Sequence, residues 1–380
     1  MPKRVGIIGA GQLGGYLCLA GRDLALDTVL LAENEDDIAI AHADHVIVTE
    51  LAVNAQLQAF IEQCDVVTFE KEAIPTPVLE CLQQAQDDGH ISVAPSVATM
   101  QLLQNKAHQN QWLQDNGWPI PEFLIVQDDD TFDSIQQRLG LPFVLKAQRG
   151  GYDGYGVQIV HTAADMEVLA RQPCIAERYI ADRREIAVLA ARNTLGETAI
   201  YPSVEMVFDP AGNILRQVVC PAHMTDTMHS DAGRIASEIV ARLSGVGMFA
   251  VEMFIEGEQL WVNEISPRVH NAGHLTIEAQ PVSQFEQHMR AVTGMPLGAV
   301  NPDAEAAMIN LLSEPGSPVF ERGGAYPSGN ATAHWYGKRE ARPLRKMGHI
   351  TAVAQPGQDA VELAQASFTE LSQQSGQASG

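Results

Sequence analysis

Two carboxylates stand where the chain is otherwise almost wholly apolar, and as a pair they suit a divalent cation. Residues 247–265 read as two strands, Gly247-Met-Phe-Ala-Val-Glu-Met-Phe-Ile and Gln259-Leu-Trp-Val-Asn-Glu-Ile, around a Glu256-Gly257-Glu258 turn. Each strand holds one acid, Glu252 and Glu264. A three-residue loop at 256–258 would pair position 252 with 262 and set 252 and 264 on one face. Acids sharing an apolar face repel and resist desolvation unless a cation neutralises them. Oxygen-only ligation, completed by substrate phosphates, suits Mg²⁺, with Mn²⁺ as a substitute. A hairpin with both acids on its solvent face is the alternative. The residues that follow tip the balance: Arg268, His270, Asn271 and His274 crowd anion-binding and proton-handling groups beside the carboxylates.

Other segments offer anion sites. Gly9-Ala10-Gly11-Gln12-Leu13-Gly14 follows the first strand and opens a helix, with Glu33 ending the second strand. This spacing fits a dinucleotide fingerprint, and residues 1–40 alone leave NAD(P) open. Glu70 and Glu72 leave the strand Val66–Phe69 at its C-terminal edge, where parallel sheets bind ligands; for either one a solvated acid is an equal alternative. Lys146 ends Phe143-Val-Leu-Lys-Ala, a strand so apolar that the ammonium needs an anionic partner. Arg149-Gly150-Gly151-Tyr152-Asp153-Gly154-Tyr155-Gly156 lies between two strands, so it reads as a hairpin flap rather than a Walker loop feeding a helix. Its amides can reach phosphate, and Asp153 can accept a proton. Residues 338–346 carry Lys338, Arg339, Arg342, Arg345 and Lys346 in a chain of net charge −23, which marks a local anion site.

The hairpin with its following Pro-Arg-Val-His-Asn-Ala-Gly-His resembles the ATP-grasp enzymes, and within them the N5-carboxyaminoimidazole ribonucleotide synthetase family, over about residues 4–355. The resemblance implies ATP- and bicarbonate-dependent carboxylation of 5-aminoimidazole ribonucleotide through carboxyphosphate. It implies ATP ligands at Lys106, Lys146, Gly151, Tyr152, Gly154 and Asn263, with Glu177 and Glu185 toward the adenine amino group and ribose hydroxyls. Metal ligands would be Glu252 and Glu264. The ribonucleotide would meet Gly11, Gln12, Leu13, Tyr152 and one of Glu70 and Glu72, with Lys338 and Arg345 on its 5′-phosphate. Asp153 is the candidate base, helped by His270, with Arg268 and Asn271 around the carboxyphosphate. Family members usually carry Arg or Lys where this chain has Tyr155, so a direct cationic contact from that position is in doubt. The family is typically homodimeric. Two rivals remain: a formate-dependent glycinamide ribonucleotide transformylase of the same superfamily, and an NAD(P)-dependent dehydrogenase. The latter would leave the hairpin and basic cluster idle.

These residues need a multi-part scaffold, and 380 residues suffice for two or three cores. Residues 4–100 alternate short apolar runs with helical stretches, as in a parallel α/β sheet. The resemblance makes this a Rossmann-like pre-ATP-grasp domain over 1–100. A mixed α+β block, the ATP-grasp unit, is expected over 101–300. Short strands over 301–370 suggest a small C-terminal β-rich lobe, and the Ser-, Gln-, Gly- and Ala-rich 371–380 a disordered tail. No apolar run approaches a membrane span of ~18 residues, and the N-terminus lacks a signal-peptide pattern. Five scattered cysteines without any Cys-x-x-Cys indicate neither a disulfide frame nor a zinc site, and suggest a reducing cytoplasm. The acidic balance argues against nucleic-acid or membrane binding.

Overall fold

The structure is a computed structural model that describes residues 3–150, 156–166, 172–209, 213–300, 304–313, 327, 329, 331–340 and 342–377. Strands β1 (Arg4–Ile8), β2 (Asp27–Ala32), β3 (His45–Val48), β4 (Val66–Phe69) and β5 (Ser92–Val93) form a parallel sheet ordered β3-β2-β1-β4-β5. The helices α1 (Gln12–Asp23), α2 (Ala55–Ile61) and α3 (Thr76–Asp87) cover both faces. That coverage is why β1 and β4 are apolar almost throughout rather than alternating. Leu13 and Leu17 of α1 pack on one side; Phe60, Val78, Leu79 and Leu82 pack on the other. The strand order reverses between β1 and β4, so the loops leaving them flank the crevice where such sheets bind ligands.

Helices α4 (Val97–Leu103) and α5 (Lys106–Asp115) lead into an antiparallel sheet ordered β6-β9-β7-β8. It comprises β6 (Phe123–Ile125), β7 (Phe143–Ala147), β8 (Val157–Val160) and β9 (Cys174–Arg178), with α6 (Phe132–Leu139) and α7 (Ala163–Met166) between them. The Asn105 side chain accepts the Ala107 and His108 N–H groups, which sets Lys106 at the first helical position of α5.

The remaining strands make one large sheet, ordered β15-β14-β10-β12-β13-β16-β18-β17, with β11 paired on β10. They are β10 (Arg184–Arg192), β11 (Thr198–Ile200), β12 (Val204–Asp209), β13 (Ile214–Cys220), β14 (Gly247–Glu256), β15 (Gln259–Ser266), β16 (Ala306–Leu312), β17 (Ala331–Trp335) and β18 (Lys346–Val353). Helices α8 (Asp226–Arg242), α9 (Thr276–Ala279), α10 (Gln284–Thr293) and α11 (Ala360–Gln377) complete the chain. Strands β11 and β12 are separated at Pro202, which has no N–H to donate to a ladder. The C-terminal strands do not stand apart: β16 pairs with β13, so the central sheet runs on into them.

The tail expectation is corrected. Helix α11 runs to Gln377, through Ser372, and 378–380 lie outside the described residues. Ala360, Ala364 and Leu371 are buried against β16 and β18, with Phe368 beside them, an apolar stripe at helical spacing. The polar composition beyond Leu371 hid a helix whose anchor lies upstream.

Core continuity fixes the units relative to one another. Leu17 of α1, Phe285 and Met289 of α10, and Leu189 and Met248 of the large sheet share one cluster. His288 joins the same units by hydrogen bonds: its Nδ1 accepts the Met248 N–H (3.0 Å) and its Nε2 meets Thr68 Oγ1 (2.7 Å). Beneath the acid-bearing hairpin, Phe249 is fully buried among Ile239, Val240 and Val251. Phe249→Ala should cost about 3–5 kcal/mol, read as a lower denaturant midpoint of the unfolding transition.

Candidate functional site

The hairpin β14–β15 turns more tightly than its sequence suggests. Glu256 pairs with Gln259, leaving Gly257-Glu258 as the turn, and the register runs to Met253 opposite Val262. Continued unbroken, it would set Asn263 opposite Glu252 and turn Glu264 to the other face. A bulge follows Met253, and Glu252 lies directly opposite Glu264 with Asn263 as the extra residue. The two acids do share a face, as expected, but by this route and not by the 252–262 pairing. Leu260, Val262 and Ile265 point into the core, whereas Trp261, Asn263 and Glu264 are only half-buried on the opposite face. Gln109 of α5 holds the bulge, its Oε1 accepting the Ile265 N–H at 2.8 Å.

Two lysines and an imidazole, from three parts of the chain, meet this acidic face. Lys106 Nζ is 2.6 Å from Glu264 Oε2. His270 Nε2 is 3.2 Å from Glu252 Oε1. The Ala272 N–H donates to His270 Nδ1 (3.3 Å), so a neutral ring carries its proton on Nε2, facing the acid. Lys146 of β7 lies 2.5 Å from Glu177 Oε2 and donates to Asn263 Oδ1 at 2.8 Å; Asn263 Nδ2 in turn reaches Glu252 at 3.4 Å. Asn110 donates to the other Glu177 oxygen (2.8 Å). Glu185 of β10 is held by Arg183 at 3.0 Å. Burial alone would raise the Glu264 carboxyl, but Lys106, with Lys146 and His270, holds it below the usual range. Burial would likewise lower Lys106, and Glu264, with Glu72 and Glu177, holds it above. Glu185 is pushed up by burial, helped by Glu252 and opposed by Arg183. Four acids thus face two lysines, one imidazole and one arginine, a set with room for a further cation. All the acid donors are hard oxygens, which fits Mg²⁺ or Mn²⁺.

A second cluster lies at the crevice between β1 and β4. Glu70 fills the glycine loop: a Cβ at Gly11 would stand 2.5 Å from Glu70 Oε1, and Gly9 has φ +112°. The loop therefore closes on a side-chain carboxylate, whereas a dinucleotide fingerprint keeps it open to a pyrophosphate. Burial pushes the Glu70 carboxyl up, against Arg268, Lys71, the Gly11 amide and Lys338. Gln12 and Leu13 open α1 directly after the loop. Glu72 pairs instead with Arg268, Nε to Oε1 at 3.0 Å, close as ions although not aligned as a hydrogen bond. Glu33, the acid of the fingerprint, pairs with Lys71. From the C-terminal strands, Lys338 donates to the Lys346 carbonyl (2.8 Å) and lies over the Tyr336 ring, while Arg345 donates to the Glu340 carbonyl (2.9 Å). Arg339 pairs with Asp36, tying the basic segment to the first sheet.

Not every expected residue faces this space. Asn271 exchanges hydrogen bonds with Asn310 of β16 (3.1 and 2.7 Å), so its amide already serves the sheet. His274 is fully buried, away from the carboxylates and against Gln284. Gly151, Tyr152, Asp153, Gly154 and Tyr155 lie outside the described residues; the base of that segment is tied to α5 by the Lys106 N–H bond to the Gln148 carbonyl (2.9 Å). Sequence reasoning missed Gln109 and Asn110. Their signal was present: they fall three and four residues after Lys106, on the same helical face.

Similarity to known proteins covers nearly the whole chain. A ribonucleotide synthetase preATP-grasp domain model matches residues 1–104, an ATP-grasp domain model residues 111–285, and a phosphoribosylaminoimidazole carboxylase C-terminal domain model residues 306–363. The N5-carboxyaminoimidazole ribonucleotide synthase of Synechococcus elongatus is 34% identical over 98% of this chain and 94% of its own. The crystal structure of the Thermotoga maritima synthetase superposes with TM-score 0.85 at 34% identity, covering 97% of this chain and 98% of that one. The Aspergillus clavatus synthase, solved with ADP and 5-aminoimidazole ribonucleotide, gives 0.84 at 28% identity over 99% of each.

Lys106→Ala removes the nearest cation from a carboxylate that burial alone would push up. The expected loss at pH 7 is about 1–3 kcal/mol, below the ~3–5 kcal/mol of a fully buried pair because both side chains are part-exposed. In the native chain Glu264 titrates low, so its contribution is present above the free-carboxylate range and lost as pH falls through its depressed value. Without Lys106 burial raises that carboxyl, so Glu264 takes up its proton at higher pH in the variant and the deficit should shrink in denaturant melts as pH falls from 7 into the free-carboxylate range. A deficit independent of pH would show that the pair is not the cause.

Proposed function

The chain belongs to the N5-carboxyaminoimidazole ribonucleotide synthase family, and from that premise we propose how its own residues carry the reaction. It is a ligase that forms a carbon–nitrogen bond, carboxylating 5-aminoimidazole ribonucleotide at the expense of ATP in purine biosynthesis. The observation that carries the mechanism is the cross-strand pair Glu252 and Glu264 with Lys106 and Lys146 against them. Neither a formate-dependent transformylase nor a dehydrogenase is favoured: the C-terminal match is to the carboxylase type, and Glu70 occupies the glycine loop.

In this reading Glu252 and Glu264 hold Mg²⁺ or Mn²⁺, with Asn263 beside them. Bound there, the cation neutralises charge on the transferring phosphoryl group. Lys106 and Lys146 add positive charge to the ATP phosphates, Glu177 and Glu185 take the adenine and ribose end, and the flap with Gly151, Tyr152 and Gly154 excludes water. A bicarbonate oxygen attacks the γ-phosphorus, the bond to the β–γ bridging oxygen breaks, and ADP leaves carboxyphosphate beside Arg268, with His270 flanking it, while Asn271 stays bonded to Asn310. Carboxyphosphate breaks down to phosphate and CO₂, and the exocyclic amine of the ribonucleotide captures the carbon. The amine proton passes to Asp153, while His270 keeps Glu252 oriented through its Nε2–H. Glu70 and Glu72, with Gly11, Gln12, Leu13 and Tyr152, surround the ribonucleotide, and Lys338 and Arg345 grip its 5′-phosphate. The family resemblance supports a homodimer. A cytoplasmic location suits the five free cysteines, which persist as thiols in a reducing compartment.

ADP release is the direct test. It should require 5-aminoimidazole ribonucleotide, and coupled product should largely vanish when bicarbonate and CO₂ are rigorously excluded. Turnover with formate in place of bicarbonate, or with glycinamide ribonucleotide, would overturn the reading. The phosphate anchor has its own signature. A group that does not change during chemistry is bound equally in ground and transition states, so its loss raises KM more than it lowers kcat. A charge-assisted contact is worth about 1.5–3 kcal/mol, so Lys338→Ala should raise KM for the ribonucleotide roughly 10- to 100-fold while KM for ATP barely moves. Equal losses for both substrates would remove the anchor role.

A further inference from the structure

Behind the basic segment, two buried imidazoles, His274 and His349, meet a part-exposed imidazole and carboxylate, His334 and Glu278, where the proposed reaction uses none of them. His334 of β17 and His349 of β18 are direct cross-strand neighbours, their rings stacked at 4.5 Å and 17°. Glu278 of α9 reaches over to them, its Oε1 2.5 Å from His334 Nε2. One ligand atom from each of Glu278, His334 and His349 lies within 4.8 Å of the others. His274, with its ring 5.0 Å from that of His349, and Tyr16 of α1 close the surround.

We propose that Glu278, His334 and His349 bind a divalent transition-metal ion of the zinc class where the first sheet, the central unit and the C-terminal strands meet. The unpartnered atoms are the second line of support. Glu278 Oε2, His349 Nε2 and His274 Nε2 are all buried with no hydrogen-bond partner, a cost that native interiors rarely leave unmet. Two of the three belong to the ligand set. His349 Nδ1 is 2.8 Å from the Tyr336 hydroxyl, so with Nδ1–H donating to the phenol oxygen, Nε2 presents a lone pair. This is the second-shell arrangement that orients metal-binding imidazoles. His274 is the opposite tautomer. Gln284 Oε1 accepts the His270 N–H and its Nε2 donates to the His270 carbonyl, which fixes its amide, so Nε2 also donates to His274 Nδ1. His274 Nε2 therefore carries a proton and needs an acceptor, which a water ligand in the fourth position would supply. Mixed nitrogen and oxygen donors separate this site from the oxygen-only acids of β14 and β15. Cysteine spacing could not have disclosed it, since no sulfur takes part.

The test uses the full chain, stripped with a chelator, loaded with Co²⁺ in excess Mg²⁺ and then dialysed. About one Co²⁺ per chain should be retained, with visible d–d absorption of an imidazole-bound ion and a raised thermal midpoint. Glu278→Gln and His349→Gln should weaken retention by at least the ~10- to 100-fold typical of lost second-shell partners, whereas Glu264→Gln should keep it. A native chain that retains no Co²⁺ overturns the proposal. So does retention that is lost in Glu264→Gln but kept in His349→Gln, which would assign the ion to the hairpin acids. Should His349→Gln not fold, Glu278→Gln carries the comparison, because its side chain lies at the margin of the cluster.

Discussion

Carboxylates held out of water must be neutralised, and much of this molecule is arranged around that requirement. Glu252 and Glu264 face each other across one ladder, with Glu177 and Glu185 nearby. No single element supplies the opposing charge. Lys106 comes from the start of α5, Lys146 from β7 of another sheet, and His270 from the segment after β15. The two sheets and α5 must therefore sit at one fixed separation. The cores beneath them, Phe249 and Val251 on one side and Leu145 and Ala176 on the other, maintain it. A site that is costly to assemble in the free chain is also one that a phosphate-bearing ligand and a cation can enter by exchanging partners already present.

The same logic shapes the crevice of the first sheet. Glu70 closes the glycine loop from inside, and burial makes its charged form unfavourable. Arg268 of the central unit and Lys338 of the C-terminal segment both oppose that effect by their charge, so three parts of the chain act on one carboxylate. Continuity of the large sheet from β13 to β16 and the core shared by α1 and α10 keep those contributions in register. Rigid surroundings of this kind suit chemistry that passes a water-sensitive intermediate from a nucleotide to an acceptor, because the distance travelled is set by packing rather than by diffusion.

The group of His274, His334, His349 and Glu278 extends the theme. Polar side chains at a junction of units either satisfy one another or wait for a ligand, and here three atoms remain unsatisfied. Their position directly behind Lys338 and Lys346 means that whatever completes them also fixes the strands presenting the basic segment.

Much of the chemistry was legible in the linear chain. An acid within an apolar strand, a lysine ending another and five basic residues in nine positions are anomalies whatever the fold, since each carries a charge that burial or repulsion makes costly. The alternating pattern of residues 4–100 likewise announced a parallel sheet, because both its faces must be covered. Other features depended on partners distant in sequence. Register is one: only the ladder shows that a tight turn and a bulge at Asn263 together bring Glu264 opposite Glu252. The settings of Glu70 and Glu72 are another, since one meets the glycine loop and the other Arg268, nearly 200 residues on. Helix α11 was hidden by polar composition because what holds it is the β16–β18 surface, not its own sequence. Local pattern tells which residues are out of place in water or in a core; long-range packing alone decides which of them meet.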